Sequence, residues 1–325
     1  VILATALLEK LHTYYPDTKL DILIRKGNEG LFLNHPYIHH IWIWDKKKDK
    51  LKSQIHIIRS IRKQHYDLVI NCQRYFSSGI FTILSGAKRT VGFKPNPLSI
   101  FFTTSIEHSF DGKHEIERNQ ALIVNITDNT PAYPKLYIKN EIEFIKNEYF
   151  KRKSVNATHN FSYITISPSS VWFTKQHAAE KWIEFIDTLP ADITVFLMGA
   201  PTDHAYNQRL MAQTKKNKNI INTAGELTLL QSAALMKFAK MNYVNDSASM
   251  HLCSATNAPT TVVYCSTIPE FGFGPLSESK FIIQTQKKLS CRPCGIHGRK
   301  ECPQKHFECS YSIDTNQLTQ TLSAV

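Results

Sequence analysis

The sequence predicts an α/β protein built from two doubly wound domains. Short apolar runs of strand length alternate with stretches of helical spacing, and this alternation stops at a proline-bearing break and then begins again. With 325 residues, 42% of them hydrophobic, the chain is long enough for two full-sized cores.

Apolar positions 3, 7, 8 and 11 set a helix from Val1 to about Tyr15, stopped near Pro16. Leu20 to Ile24 follows as a short buried strand and Ile41-Trp42-Ile43-Trp44 as the next. Leu51 to Gln64 has helical spacing, with Lys52, Arg59, Arg62 and Lys63 on its wet side. A strand at Tyr66 to Asn71, a helix near Ser78 to Leu84, a strand at Arg89 to Phe93 and a helix from about His114 to Asn125 complete the first series. Asn129 to Pro134 punctuates the chain, and a charged helical stretch from Asn140 to Lys153 leads onward. The expected domains are therefore 1–152 and 153–325.

The second series runs as a strand at Phe161 to Ser167, a helix at Ala178 to Leu189 and a strand at Ile193 to Met198. Helices at His204 to Thr214 and Leu227 to Phe238 and a strand at Thr261 to Tyr264 follow. Two such domains turn their strand carboxyl ends toward each other, so a ligand is expected in the cleft between them.

Tyr243 to Leu252 reads as the end of a buried strand running straight into a helix. Asp246 or Ser247 can cap that helix, and the N–H groups of Ser247 to Met250 then point at whatever lies before the strand end, where an anion is the natural occupant. The same residues also make an ordinary N-cap. Two further strand-end loops reach this edge: Ser167 to Lys175, which carries Ser169 and Ser170, and Met198-Gly199 to Asp203. A lysine, hydroxyls and a helix start together make a phosphate site, against the plainer reading of Lys175 as a solvated lysine. Neither a Gly-x-Gly-x-x-Gly nor a Walker-type loop is present, which weighs against dinucleotide oxidoreductases and ATPases.

Asn245-Asp246-Ser247-Ala248-Ser249-Met250-His251-Leu252 resembles the Asn-Asp-Ser-Gly-Pro-Met-His-Leu signature of the ADP-heptose:lipopolysaccharide heptosyltransferases, glycosyltransferase family nine. Thr174-Lys175-Gln176-His177 before Trp182 resembles that family's Thr-Lys-x-Trp-Pro segment. Leu197 to Asp203 is similar to its Leu-Gly-Gly-Pro-x-Asp turn, and Lys88 to Phe93 to its Arg-x-Gly strand. The resemblance implies a GT-B fold, two Rossmann-like domains facing across a cleft, with the acceptor on the first and the nucleotide sugar on the second. It implies inverting transfer of a heptose from ADP-heptose to the lipopolysaccharide inner core, by a cytoplasmic protein peripheral at the inner membrane, with no cofactor needed for catalysis.

On that resemblance Lys175 neutralises the departing diphosphate, and the N–H groups of Ser247 and Ala248 hold its oxygens. Asp246 accepts hydrogen bonds from the sugar, Ser169 and Ser170 line the phosphates, and His251 supports the helix start. Met198, Gly199 and Asp203 lie near the nucleotide. A structural histidine packed under the turn is the other reading of His251. Ala248 and Ser249 stand where the family has Gly-Pro. The family's general base, an aspartate, falls just before the segment that looks like Val1 to Thr5. The sequence is thus expected to lack its extreme N-terminus and a central strand of the first sheet, leaving this chain with little or no transfer activity.

Cys291 and Cys294, then Cys302 and Cys309, with His297 and His306 nearby, offer soft ligands for a structural zinc ion. Unpaired thiols in a loop-rich tail are the alternative. The formal charge of +12 implies an anionic partner. Its densest cluster, Lys46, Lys47, Lys48, Lys50 and Lys52 with Arg59, Arg62 and Lys63, suits either a solvated face or an anionic membrane surface. No apolar run approaches the ~20 residues of a spanning helix. A zinc-containing nucleic-acid-binding protein and a nucleotide-sugar epimerase of the same fold are the competing functions. The first lacks aromatic-basic stacking motifs and a basic recognition helix, so no nucleic-acid partner is expected.

Overall fold

The computed structural model describes residues 1–48, 50–155, 161–216 and 219–324. The chain forms two compact units, Val1–Lys135 and Leu136–Val325.

In the first unit, strands β1 (Leu20–Arg25) and β2 (Ile38–Trp44) pair in parallel. Strands β3 (Leu68–Asn71), β4 (Arg89–Phe93) and β5 (Thr104–Ile106) form a second parallel sheet. Among the described residues these strands make two sheets, and β1 and β3 each carry a ladder on one side only. The helix Lys50–Arg62 packs Ile57, Ile58 and Ile61 onto Trp44 and Phe81, whereas Leu51 and Ile55, which open the same apolar spacing, are exposed. Beside it the Tyr66 hydroxyl donates to Asp21 and accepts from the Trp42 indole, which ties β1 and β2 to the approach of β3.

The second unit holds one six-stranded parallel sheet. Its strands are β6 (Tyr163–Ser167), β7 (Thr194–Leu197), β8 (Ile220–Asn222), β9 (Met241–Asn245), β10 (Thr260–Tyr264) and β11 (Lys280–Gln284). Their order across the sheet is β8-β7-β6-β9-β10-β11, so the chain works outward from β6 to one side and then returns to work outward on the other. Alternate residues of β6 and its neighbours, Ile164, Ile166, Val195, Leu197 and Tyr243, join Trp182, Phe185 and Leu318 in the main core. The intervening residues face the other side, where Phe150 packs on Tyr163 and Phe196 with ring centroids 5.7 and 6.0 Å away.

That packing moves the domain boundary. The helical run Lys139–Arg152, with a π turn at Ile145–Tyr149, belongs to the second unit rather than the first. Phe150 lies on that unit's sheet, the Tyr149 hydroxyl donates to Glu226 at 2.8 Å, and Lys153 pairs with Glu226 at 2.5 Å. Strands β5, β8 and β11 and the closing helix Thr315–Ser323 lie outside the elements that the sequence pattern predicts. The first two strands are only three residues long, too short for a period to register.

Candidate active site

The reversal in strand order falls between β6 and β9, and the loops leaving these two strands carry Lys175 and Asp246. In a doubly wound sheet the crevice outside the strand ends at this switch point is where ligands bind. Lys175 Nζ lies 2.7 Å from Asp246 Oδ2, with the lysine side chain 14% and the aspartate 9% exposed. The Thr267 hydroxyl, just beyond β10, donates to the same Asp246 oxygen at 2.7 Å. So the expected cation and the expected carboxylate stand together, and the carboxylate is fixed by a threonine that no sequence motif marks.

The helix Ala248–Thr256 starts directly behind this pair, with Ser247 at its N-cap position. Neither Asp246 nor Ser247 caps it through a side chain, which corrects the sequence expectation. Asp246 is taken by Lys175 and Thr267, while the Ser247 hydroxyl is withdrawn from water and has no hydrogen-bond partner among the described residues. The Ser169 hydroxyl is in the same condition. Buried hydroxyls left unsatisfied cost free energy, and these two stand on the loops around a lysine and a helix start. Ser170 and His251 are half-buried; the Ser170 carbonyl accepts from Gln176 Nε2 at 2.6 Å.

Asn245 staples the loop ends to the sheet. Its Nδ2 donates to the carbonyls of Ser167 and Pro168 at 3.2 and 2.9 Å, and its Oδ1 accepts from the His177 N–H at 2.8 Å. His177 is wholly buried, its Nδ1 lies 3.0 Å from Ser310 Oγ, and burial pushes its pKa down to about 3. It is a neutral structural imidazole under the Lys175 loop.

The third loop, after β7, is folded on itself. The Asp203 carboxylate accepts from the Ala200 N–H at 2.8 Å, and a Cβ at Gly199 would stand 2.7 Å from Asp203 Cβ, so only glycine fits that approach. Met198 is buried, with its sulfur accepting from Thr223 Oγ1 at 3.3 Å. Of this trio the side chains of Met198 and Asp203 serve the turn.

All seven cysteines are free thiols. Cys291, Cys294, Cys302 and Cys309 line one cavity of about 230 Å³ together with His306, and Cys291 Sγ is 3.9 Å from His306 Nε2. Burial raises the pKa of Cys294 and pushes that of Cys309 up to about 12, so these thiols hold their protons. Among the described residues no three His, Cys, Asp or Glu side chains stand close enough to hold a metal ion. These four thiols and the His306 ring are the groups that a structural zinc ion would have to draw on. His297 is not among the lining residues.

A doubly wound sheet with a cation, a carboxylate and a helix start at its switch point is the architecture of nucleotide-dependent enzymes. A family model for glycosyltransferase family 9, the heptosyltransferases, matches residues 55–306. Lipopolysaccharide heptosyltransferase 3 of Escherichia coli is 23% identical over 82% of this chain and 80% of its own length. Among solved structures, the family 9 glycosyltransferase of Veillonella parvula superposes with a TM-score of 0.86 at 19% identity, covering 99% of this chain and 92% of that one. The heptosyltransferase WaaC of Escherichia coli, solved with ADP, gives 0.74 at 16% identity over 99% and 95%. The chain belongs to glycosyltransferase family 9; it is a glycosyltransferase with a fold of the GT-B kind, two Rossmann-like units.

Proposed function

We propose that this chain moves a heptose from ADP-heptose to a hydroxyl of the lipopolysaccharide inner core, with inversion at the anomeric carbon. The observation that carries this reading is the Lys175–Asp246 pair at the switch point, flanked by the unpartnered hydroxyls of Ser169 and Ser247. As the acceptor oxygen bonds to the anomeric carbon and gives up its proton to a base, the bond to the diphosphate breaks and its electron pair stays on phosphate oxygen. Lys175 meets that growing charge once the diphosphate displaces Asp246 from it, and the N–H groups of Ser247 and Ala248 add fixed donors at the helix start. Asp246, released from the lysine, accepts from a sugar hydroxyl while Thr267 keeps it in place. The second unit thus takes the nucleotide sugar.

The first unit takes the acceptor, on this reading, and rests at the inner face of the inner membrane. Support comes from the helix Lys50–Arg62, whose outer side shows Leu51 (71% exposed) and Ile55 (48%) beside Lys52, His56 and Arg59. Apolar and cationic side chains on one outward face suit an anionic bilayer surface. Among the described residues no helix is long and apolar enough to cross a membrane.

Calorimetric titration with ADP and UDP at low salt, repeated on Lys175→Ala, tests the donor site. ADP should bind more tightly than UDP, and losing the lysine should cost ~3 kcal/mol, roughly a hundredfold. Equal binding of the two nucleotides, or affinity unchanged in the variant, would sink the proposal.

A further inference from the structure

Lys175 is held from behind by a segment about 125 positions further along the chain. Thr174, the residue before it, is only 1% exposed. Its hydroxyl accepts from the Arg299 N–H at 2.7 Å and from Ser266 Oγ at 3.0 Å, and donates to the Arg299 carbonyl at 3.3 Å. Its backbone N–H donates to that same carbonyl at 3.1 Å, and its own carbonyl accepts from the Ser266 N–H at 3.2 Å. The neighbouring Gly298 has φ of +75°, and a Cβ there would come within 2.8 Å of Lys175 Cγ. The tail backbone therefore lies directly against the lysine's alkyl stem.

The same segment grips the other member of the pair. The Cys294 N–H donates to the Ser266 carbonyl at 2.8 Å, and the Arg292 guanidinium donates to the carbonyls of Cys265 and Thr267 at 2.7 and 2.9 Å. Thr267 is the residue whose hydroxyl holds Asp246. One strap thus anchors the chain on both sides of the ion pair.

We propose that residues 291–299 form a strap that sets the aim of Lys175, with Thr174 as the positioning residue through which it acts. A lysine is a point charge on a flexible four-carbon stem, so its reach to a phosphate depends on where its Cα and first stem carbons are fixed. Thr174 fixes the Cα through a hydroxyl with all three of its hydrogen-bonding capacities in use, and Gly298 confines the stem. The proposal deepens the donor-site reading and rests on Lys175 being the phosphate cation.

The test is the rate at which Lys175 is acylated by an amine-reactive reagent, read by mass spectrometry on the full chain without nucleotide, with thermal melting as the control for folding. Wild type should label slowly, because the amine is paired and sheltered. Thr174→Val keeps the shape but leaves the Arg299 N–H and Ser266 Oγ without this acceptor, and should label about tenfold faster. Thr174→Ser restores the hydroxyl and should return the rate to near wild type. Gly298→Ala keeps the Thr174 hydroxyl but sets a Cβ 2.8 Å from the Lys175 stem and 3.1 Å from that hydroxyl, so it presses on the brace from the strap side and should also raise labelling; it decides the matter if Thr174→Val does not fold. Equal rates in wild type and the folded variants, or a serine variant as fast as the valine one, would overturn the strap. Protection of Lys175 by added ADP is a separate arm: its failure would count against the donor site and leave the strap measurement standing.

Discussion

The two units of this chain treat their strands in opposite ways. In the second unit every residue of β6, β9 and β10 is buried, and the polar groups at the strand ends, Asn245, Asp246, Thr174 and Thr267, are held by hydrogen bonds to neighbouring loops. In the first unit most of β1 and β3 is only half-buried, and the helix beside β2 turns leucine, isoleucine and cations outward. On the proposed function the contrast has a physical sense. A small, highly charged donor needs hydrogen-bond donors fixed in advance in a sheltered place. A large amphipathic acceptor needs exposed area and charge of the right sign.

The sharpest way to break this comparison is to cut each core. Phe185→Ala empties a fully buried site between Trp182 and Tyr243 and should cost about 3–5 kcal/mol in urea unfolding. Leu23→Ala, on half-buried β1, should cost about 1–2 kcal/mol. Similar losses at the two sites would erase the distinction.

Acid should reach the second unit through His177, whose pKa is depressed by burial from 6.5 to about 3. The unfolded chain takes up a proton below pH 6.5 that the folded imidazole refuses until about pH 3, so this contribution is present above 6.5 and lost as pH falls across that window. The loss should be on the order of a few kcal/mol, since each tenfold difference in proton affinity between folded and unfolded chain is worth about 1.4 kcal/mol. His177→Gln should flatten the pH dependence of the unfolding midpoint between pH 6.5 and 3. A slope identical to wild type would show that another group carries it.

The smallest effect is expected at the first unit's surface. Lys47 is exposed, and Lys47→Ala should weaken sedimentation with anionic vesicles by about 1 kcal/mol, roughly fivefold, and leave neutral vesicles unaffected. Binding unchanged by the substitution would favour a merely solvated face.

Much of the fold was legible because local pattern and final environment agree. Buried parallel strands read as largely apolar runs, and β6, β7, β9 and β10 all lie where such runs occur. The edge strand β11 and the three-residue strands did not show. Their assignment depends on a neighbour's ladder more than on their own side chains. The helix Lys139–Arg152 was visible, but not the unit it would join, because the contacts that tie it there, such as Phe150 on Tyr163 and Phe196 and Tyr149 on Glu226, reach residues far along the chain.

By itself the sequence determined that Lys175 and Asp246 belong to strand-end loops and that a helix begins behind the aspartate, since both facts follow from residues a few positions apart. Only the tertiary structure decided that the two close to 2.7 Å, that Thr267 rather than a cap holds the carboxylate, and that the cysteine-bearing tail braces the lysine. Those relations join residues separated by 21 to 125 positions, and no local periodicity records a hydrogen bond made across a sheet.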